Sequence, residues 1–316
     1  MSSPPDNESN RARHQRQRQT IALSLLIVFG FGLIYGLESW MDAHRLPVDA
    51  AVEEERLYVT GAAAKRMSLS FNGLVADWYW MRSLQYVGRK IVQQEDNDIQ
   101  LDDLSQLNLK LLAPLLDTTT TLDPQFFEAY YYAAAVLPAI DVDAAIRLLN
   151  KGIAANPTNW QLYQRLGYIY WRQGNYPLAE EAYGKGAQLP GAPPWMEILR
   201  GRMLAEGGSR DTAREIYQRL ADQSDDQQVK EMAQKRIVQL QSFDERDRIR
   251  TALNLYRERN GRCAPSWKSV AALLQAERLR LDTTTAAPLD PADTPYLLIK
   301  DGCDVDLDWH SRVPYK

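Results

Sequence analysis

The sequence predicts a mostly α-helical chain: an N-terminal transmembrane helix, an α-solenoid of stacked helix pairs, and a small C-terminal α+β module with a β-hairpin. Three observations carry this. The stretch 21–37 holds no charge; side chains recur at a 34-residue spacing between 126 and 227; and an Asp-Gly pair joins two short alternating runs near the C-terminus. With 316 residues, 45% hydrophobic and 25% charged, the chain has the composition of one or two folded units and not of a disordered one.

The first element is the membrane span, placed over residues 20–40. Ile21 to Leu37 reads IALSLLIVFGFGLIYGL, and at about 1.5 Å per residue such a helix just crosses a bilayer core of roughly 30 Å. Arg11, Arg13, Arg16 and Arg18 precede it, while Glu38, Asp42, Asp49 and Glu53 to Glu55 follow. The positive-inside rule therefore keeps the N-terminus cytoplasmic and places the remainder in the periplasm, in a bacterial inner membrane crossed once. The run exceeds the apolar core of a cleaved signal peptide and no small-x-small site closes it. Residues 1–19, polar and arginine-rich, read as a disordered tail, and 41–66 as a linker. The net charge of -4 hides a split: the 1–19 tail, with four Arg against Asp6 and Glu8, carries +2 and the rest -6.

The next elements come from the repeat. Ala145, Ala179 and Ala213 share a 34-residue spacing, as do Leu149, Tyr183 and Tyr217, Gly167 and Gly201, and Gly174 and Gly208. In the clearest unit, Tyr163, Leu166, Gly167 and Tyr170 share one helical face; Gly174-Asn175 breaks the helix, and Ala179, Tyr183 and Gly186 line a second. These residues resemble the tetratricopeptide repeat family, which implies units over 126–159, 160–193 and 194–227. The first unit departs from the pattern at Ala133 and Ile140, and Pro138 is expected to shorten its first helix. Residues 67–125 read as a divergent opening pair, Leu69 to Ile91 and Leu104 to Leu116, around an acidic loop from Glu95 to Asp103. Val229 to Leu240 is expected to cap the stack, closing a repeat region over 126–243.

The resemblance also implies a concave groove lined by the first helices. It would take Phe127 and Tyr130 from the first unit, Gln161, Gln164, Tyr168, Trp171 and Arg172 from the second, and Trp195, Ile198 and Arg202 from the third. Aromatic and Arg residues are the usual anchors of interfaces, and the groove reads as apolar and aromatic. It lacks the Lys and Asn set with which family members clamp a terminal carboxylate, since Tyr130 and Ala134 stand at two of the matching positions. The alternative is that the chain's own linker or end module covers these rings.

Residues 244–316 form the last module. A helix from Asp244 to Arg259 is closed by Asn260-Gly261, and Ser266 starts a second through Glu277. After a Thr and Pro loop over 283–295, Tyr296 to Lys300 and Cys303 to Trp309 flank Asp301-Gly302, the mark of a tight hairpin. The segment Ala252 to Arg262, with Pro265, Leu289-Asp-Pro and Pro295-Tyr296, resembles the globular part of type II secretion pseudopilins, which implies a packing module. An extracytoplasmic location favours a Cys263–Cys303 disulfide, the alternative being two buried thiols. Asp304, Asp306 and Asp308 alternate as a solvated strand face, since an EF-hand would need a glycine and a distal glutamate that are missing.

Function follows from what is present and from what is missing. Three histidines and two cysteines, with no P-loop, dinucleotide fingerprint or nucleophile elbow, point to a protein with no metal and no cofactor. The acidic balance argues against nucleic acid. The leading expectation is a non-catalytic, membrane-anchored scaffold holding a protein or peptide partner in its groove. Two alternatives are a carboxylate hydrolase or glycan-processing enzyme using Asp77 and Glu206, and an adaptor facing the cytoplasm.

Overall fold

A computed structural model describes residues 29–30, 32–34, 36–40, 59–92, 104 and 107–315. The chain divides into two units, 1–58 and 59–316, and every numbered element below belongs to the second. Of the expected membrane span, 29–30, 32–34 and 36–40 are helical, with Phe29, Leu33, Ile34, Leu37 and Trp40 exposed. No helix among the described residues is long and apolar enough to cross a membrane. The rest of the span, the 1–19 tail, positions 41–58 of the linker and the 95–103 loop lie outside the described residues.

The linker expected to reach residue 66 ends earlier. Gly61–Met67 forms a helix, α1, capped by Thr60, whose Oγ1 accepts from the Ala63 N–H. It seats Gly61 so tightly against Thr121 that a Cβ would lie 2.8 Å from that side chain. The opening pair is α2 (Asn72–Val92) and α3 (Leu112–Leu122). The second of these starts later than its leucine spacing implies, because Leu107 and Leu109 are buried in an irregular segment ahead of it.

Three helix pairs follow: α4 (Phe127–Val136) with α5 (Val142–Ala155), α6 (Trp160–Arg172) with α7 (Tyr176–Ala187), and α8 (Trp195–Glu206) with α9 (Arg210–Gln223). The repeat spacing is a packing rule made visible. A Cβ on Gly167 would stand 3.0 Å from the Tyr183 ring, and one on Gly201 would stand 2.6 Å from the Tyr217 ring. The first unit fills the same contact with Ala133 and Leu149, both fully buried. Second helices start where a polar residue can cap them: the Asp141 carboxylate accepts from the Ala144 N–H, and the Asn175 amide oxygen from the Leu178 N–H. Pro138 does shorten the first unit's opening helix, which passes into a 3₁₀ turn over Leu137–Ala139.

The expected break at residue 243 is absent. Gln227–Asn260 is a single helix, α10, and it ends where Gly261 adopts φ 70°. Its first half packs Val229, Ala233 and Leu240 against Ile198, Ala213, Ile216 and Tyr217. Its second half carries the end module through Ile249, Ala252 and Leu253. Charge pins the middle: Arg210 and Arg214 of α9 both reach Asp244, and Arg210 also binds Asp247. One helix thus serves both as cap of the stack and as first helix of the module.

In the module, α11 (Trp267–Ala276) precedes a two-stranded antiparallel sheet, β1 (Leu297–Ile299) and β2 (Asp304–Asp306). The tight two-residue turn expected at Asp301-Gly302 is instead a longer connection, with Lys300, Asp301 and Gly302 all at positive φ. Only glycine fits at 302, because a Cβ there would collide with the Ala264 carbonyl. Cys263 and Cys303 form a disulfide with their Cα atoms 5.0 Å apart. Tyr296 ties the module to α10, its hydroxyl 3.0 Å from both Ser242 Oγ and Glu245 Oε2.

Candidate functional site

Where the stack meets the end module, a cavity of about 890 Å³ opens. Its walls come from α6, α8 and α10, with Tyr176 of α7 and Tyr217 of α9, and from the hairpin. Trp171 and Arg172 end α6; Arg202 and Glu206 end α8; Arg236, Gln239, Phe243, Arg246 and Arg250 lie on α10; Lys300, Asp304 and Asp306 belong to the hairpin. A second cavity of similar volume lies between the first two units, lined by Ala134, Gln164, Arg165, Tyr168 and Arg172. Arg172 borders both, and the two neighbouring cavities together make up a track along the stack.

The expected groove residues separate into those on this track and those off it. Gln164, Tyr168, Trp171, Arg172 and Arg202 lie on it. Tyr130 does not: at 0% exposure it is wholly inside, its ring under Gly152 and its hydroxyl donating to the Pro124 carbonyl at 3.3 Å. Ile198 is also buried. Trp195 stands at the opposite end of α8 from Arg202 and packs edge-on against Trp160, 5.7 Å between ring centres. Phe127 stacks on Tyr131 at 6.4 Å and lines neither cavity.

The track is cationic, where the sequence predicts an apolar groove. Seven Arg and Lys side chains line it against three carboxylates. All three carboxylates are engaged: Glu206 by Arg202 at 2.6 Å and by Trp171 Nε1 at 2.9 Å, Asp304 by Arg250 and Lys300, and Asp306 by Arg246. Asp304 and Asp306 are therefore not a solvated face. The Lys300 hydrogen bond, aided by Arg250, holds the Asp304 carboxyl well below the usual carboxylate range. Asp308 accepts from the His310 N–H and ring instead.

Several of the cations are left over. Arg165, Arg172 and Arg236 have no carboxylate partner among the described residues, and Arg236 donates to Gln239 Oε1 at 2.6 Å. Burial lowers the Arg236 pKa, the mark of a guanidinium partly stripped of water. Arg165 Nε and Arg246 Nε are buried without an acceptor. Rings hold three of the track's arginines in place, one unpaired and two already paired: Arg165 lies 4.6 Å over Tyr131, Arg202 4.6 Å over Trp171, and Arg246 4.9 Å over Phe243. Of the two acids considered for hydrolysis, Glu206 is on the track, while Asp77 is exposed on α2 and lines neither cavity. No cluster of metal-binding side chains occurs among the described residues.

Sequence reasoning missed Arg165 and the α10 contribution, although the spacing carried a signal. Ala134, Tyr168, Arg202 and Arg236 share the repeat spacing, as do Trp171, Ala205 and Gln239, and all of these line the track. The register thus runs on into α10. It stops being a full repeat there because Lys235, exposed, stands where Gly167 and Gly201 receive a second helix.

Fold and site together define a stack of helix pairs repeating every 34 residues, with a cationic track along it. Among solved structures, the crystal structure of MamA aligns with 60% of this chain and 98% of its own length, at 21% identity and a TM-score of 0.32. No family model and no curated protein matches. The likeness of residues 244–316 to pseudopilin globular parts rests on the sequence alone.

Proposed function

We propose that the protein is a single-pass, membrane-anchored scaffold whose repeat stack holds an extended, acidic stretch of a partner polypeptide. The carrying observation is the track of arginines, several set by aromatic rings and three without a carboxylate partner among the described residues, in a chain of net charge -4. Guanidinium groups desolvated beside aromatic walls favour carboxylates, which supply charge and paired acceptors together. The end module serves as one wall of the track. The anchor is the uncharged 21–37 segment, and the arginines before it favour a bacterial inner membrane with the repeats in the periplasm.

The test uses the full chain in lipid nanodiscs with fluorescent Asp- and Glu-rich peptides and their Asn and Gln counterparts. The acidic peptides should bind and weaken with salt. Arg172→Glu combined with Arg236→Glu should reduce their affinity about tenfold or more. Equal binding of acidic and amide peptides would remove the proposal.

A further inference from the structure

The hairpin lays an acidic strand of the chain itself against the cationic track. Asp304 and Asp306 alternate on β2, so their carboxylates leave the same side of the strand about 7 Å apart. Arg246 and Arg250 lie one turn apart on a single face of α10, a spacing of roughly 6 Å. Arg246 Nη1 meets Asp306 Oδ1 at 3.4 Å and Arg250 Nε meets Asp304 Oδ1 at 3.0 Å, so the strand runs opposite to the helix with its acids in step with the arginines. Glu206 differs, because its arginine lies one turn away on the same helix. Alternate acids on an extended segment are the chemistry proposed above for the partner.

The two arginines are held incompletely. A guanidinium presents five donors in a fixed fork and binds a carboxylate best through two of them. Asp306 takes one donor of Arg246, and Arg246 Nε has no acceptor although only 14% of the side chain is exposed. Asp304 takes Nε of Arg250, while Nη1 turns to Asp247 at 3.1 Å. Each acid also has other donors to stay with. Asp304 accepts from Lys300 Nζ and the Val305 N–H, both at 2.8 Å; Asp306 accepts from the Leu307 N–H at 2.8 Å and the Tyr315 hydroxyl at 2.7 Å. The acids can therefore give up the arginines without being left unpaired. The Cys263–Cys303 bridge fixes the residue before Asp304, which keeps the strand beside the track at high effective concentration.

We infer that β2 is a built-in competitor: Asp304 and Asp306 occupy Arg250 and Arg246 in place of the partner's carboxylates, and a bound acidic segment displaces them. This rests on the acidic-partner reading above. The test uses the full chain in lipid nanodiscs and a fluorescent peptide of alternating Asp and Val. Asp304→Asn with Asp306→Asn frees both arginines, while each amide oxygen can still accept from the following N–H. Affinity should rise about tenfold, and the gain should vanish when Arg246→Gln and Arg250→Gln are added. The control is Asp301→Asn with Asp308→Asn, which removes the same charge from the same hairpin. Asp301 is left-handed, a conformation Asn tolerates, and Asp308 holds His310 and not an arginine. Its affinity should change less than about twofold. If the Asp304→Asn, Asp306→Asn chain unfolds, the single Asp306→Asn decides, with a gain of about threefold expected. Equal gains in the two double variants reduce the effect to net charge and overturn the inference. Unchanged or lower affinity in the variant that decides, with a parent that binds the peptide, makes these ion pairs purely structural and leaves the acidic-partner reading standing. Binding by neither parent nor variant overturns both.

Discussion

Trp171 donates its indole N–H to Glu206 at 2.9 Å, joining the end of one repeat's first helix to the end of the next. Arg202 closes the group by stacking on that indole and binding the same carboxylate. Ring, cation and acid thus hold one another before any partner arrives, which lowers the entropy that binding must overcome. Trp171→Ala should therefore weaken capture of acidic peptides, whereas Trp195→Ala, at the far end of α8, should leave it unchanged. Fluorescence titration of the two variants checks this, and equal losses would contradict the division.

The glycines give a pair of opposite signs. Gly201→Ala forces a methyl to within 2.6 Å of the fully buried Tyr217 ring and should cost about 1–3 kcal/mol of stability. Gly88→Ala, on α2 with nothing within 4 Å, should gain up to about 1 kcal/mol. Thermal melts of both variants against the parent would show it.

Alkaline stability follows from the buried phenols. Burial pushes the Tyr130 hydroxyl up to about 12 and raises Tyr183, Tyr217 and Tyr296 further. A pKa raised on folding gives stability that is complete below the unfolded value, about 10 for tyrosine, and is lost as pH rises through the folded value. The stack should hold at about pH 9 and unfold as the pH climbs past that range. Phenolate absorbance should show a late, cooperative step that coincides with loss of helicity. Smooth ionisation of all 16 tyrosines near their ordinary value would contradict it.

The Cys263–Cys303 bridge spans a sequence separation of 40, which the chain-entropy account equates to roughly 4 kcal/mol. Reduction, or replacement of both cysteines by serine, should lower the melting temperature of the module. Non-reduced peptide mapping of envelope material should recover the linked pair. Two free thiols there would weaken the periplasmic placement as well.

Much of this architecture was legible in the residues. Glycine at 167 and 201 opposite tyrosine at 183 and 217 is a packing contact repeated, so period and helix pairing could be read directly. Burial within a unit was harder to read. Tyr130 occupies a groove phase, but Gly152, in the facing helix, opens a slot that draws the ring inside. Its echo one repeat later, Gly186, receives Tyr163 and Met196 instead, so no shared phase announced it. The end module was legible as separate composition, but its ion pairs to α10 were not. Arg246 meets Asp306 and Arg250 meets Asp304 at sequence separations of 60 and 54, over which charge spacing carries no local signal.

The central claim is that the arginine track is where the partner lies. The most direct measurement is photo-cross-linking in intact membranes from a benzoylphenylalanine placed at Tyr168, with the same probe at Trp195 for comparison. The account predicts adducts from position 168 whose mapped peptide is rich in Asp and Glu, few from 195, and loss of the 168 adducts in the chain carrying Arg172→Glu and Arg236→Glu. Equal labelling from both positions, or 168 adducts that survive the charge reversal, would contradict it.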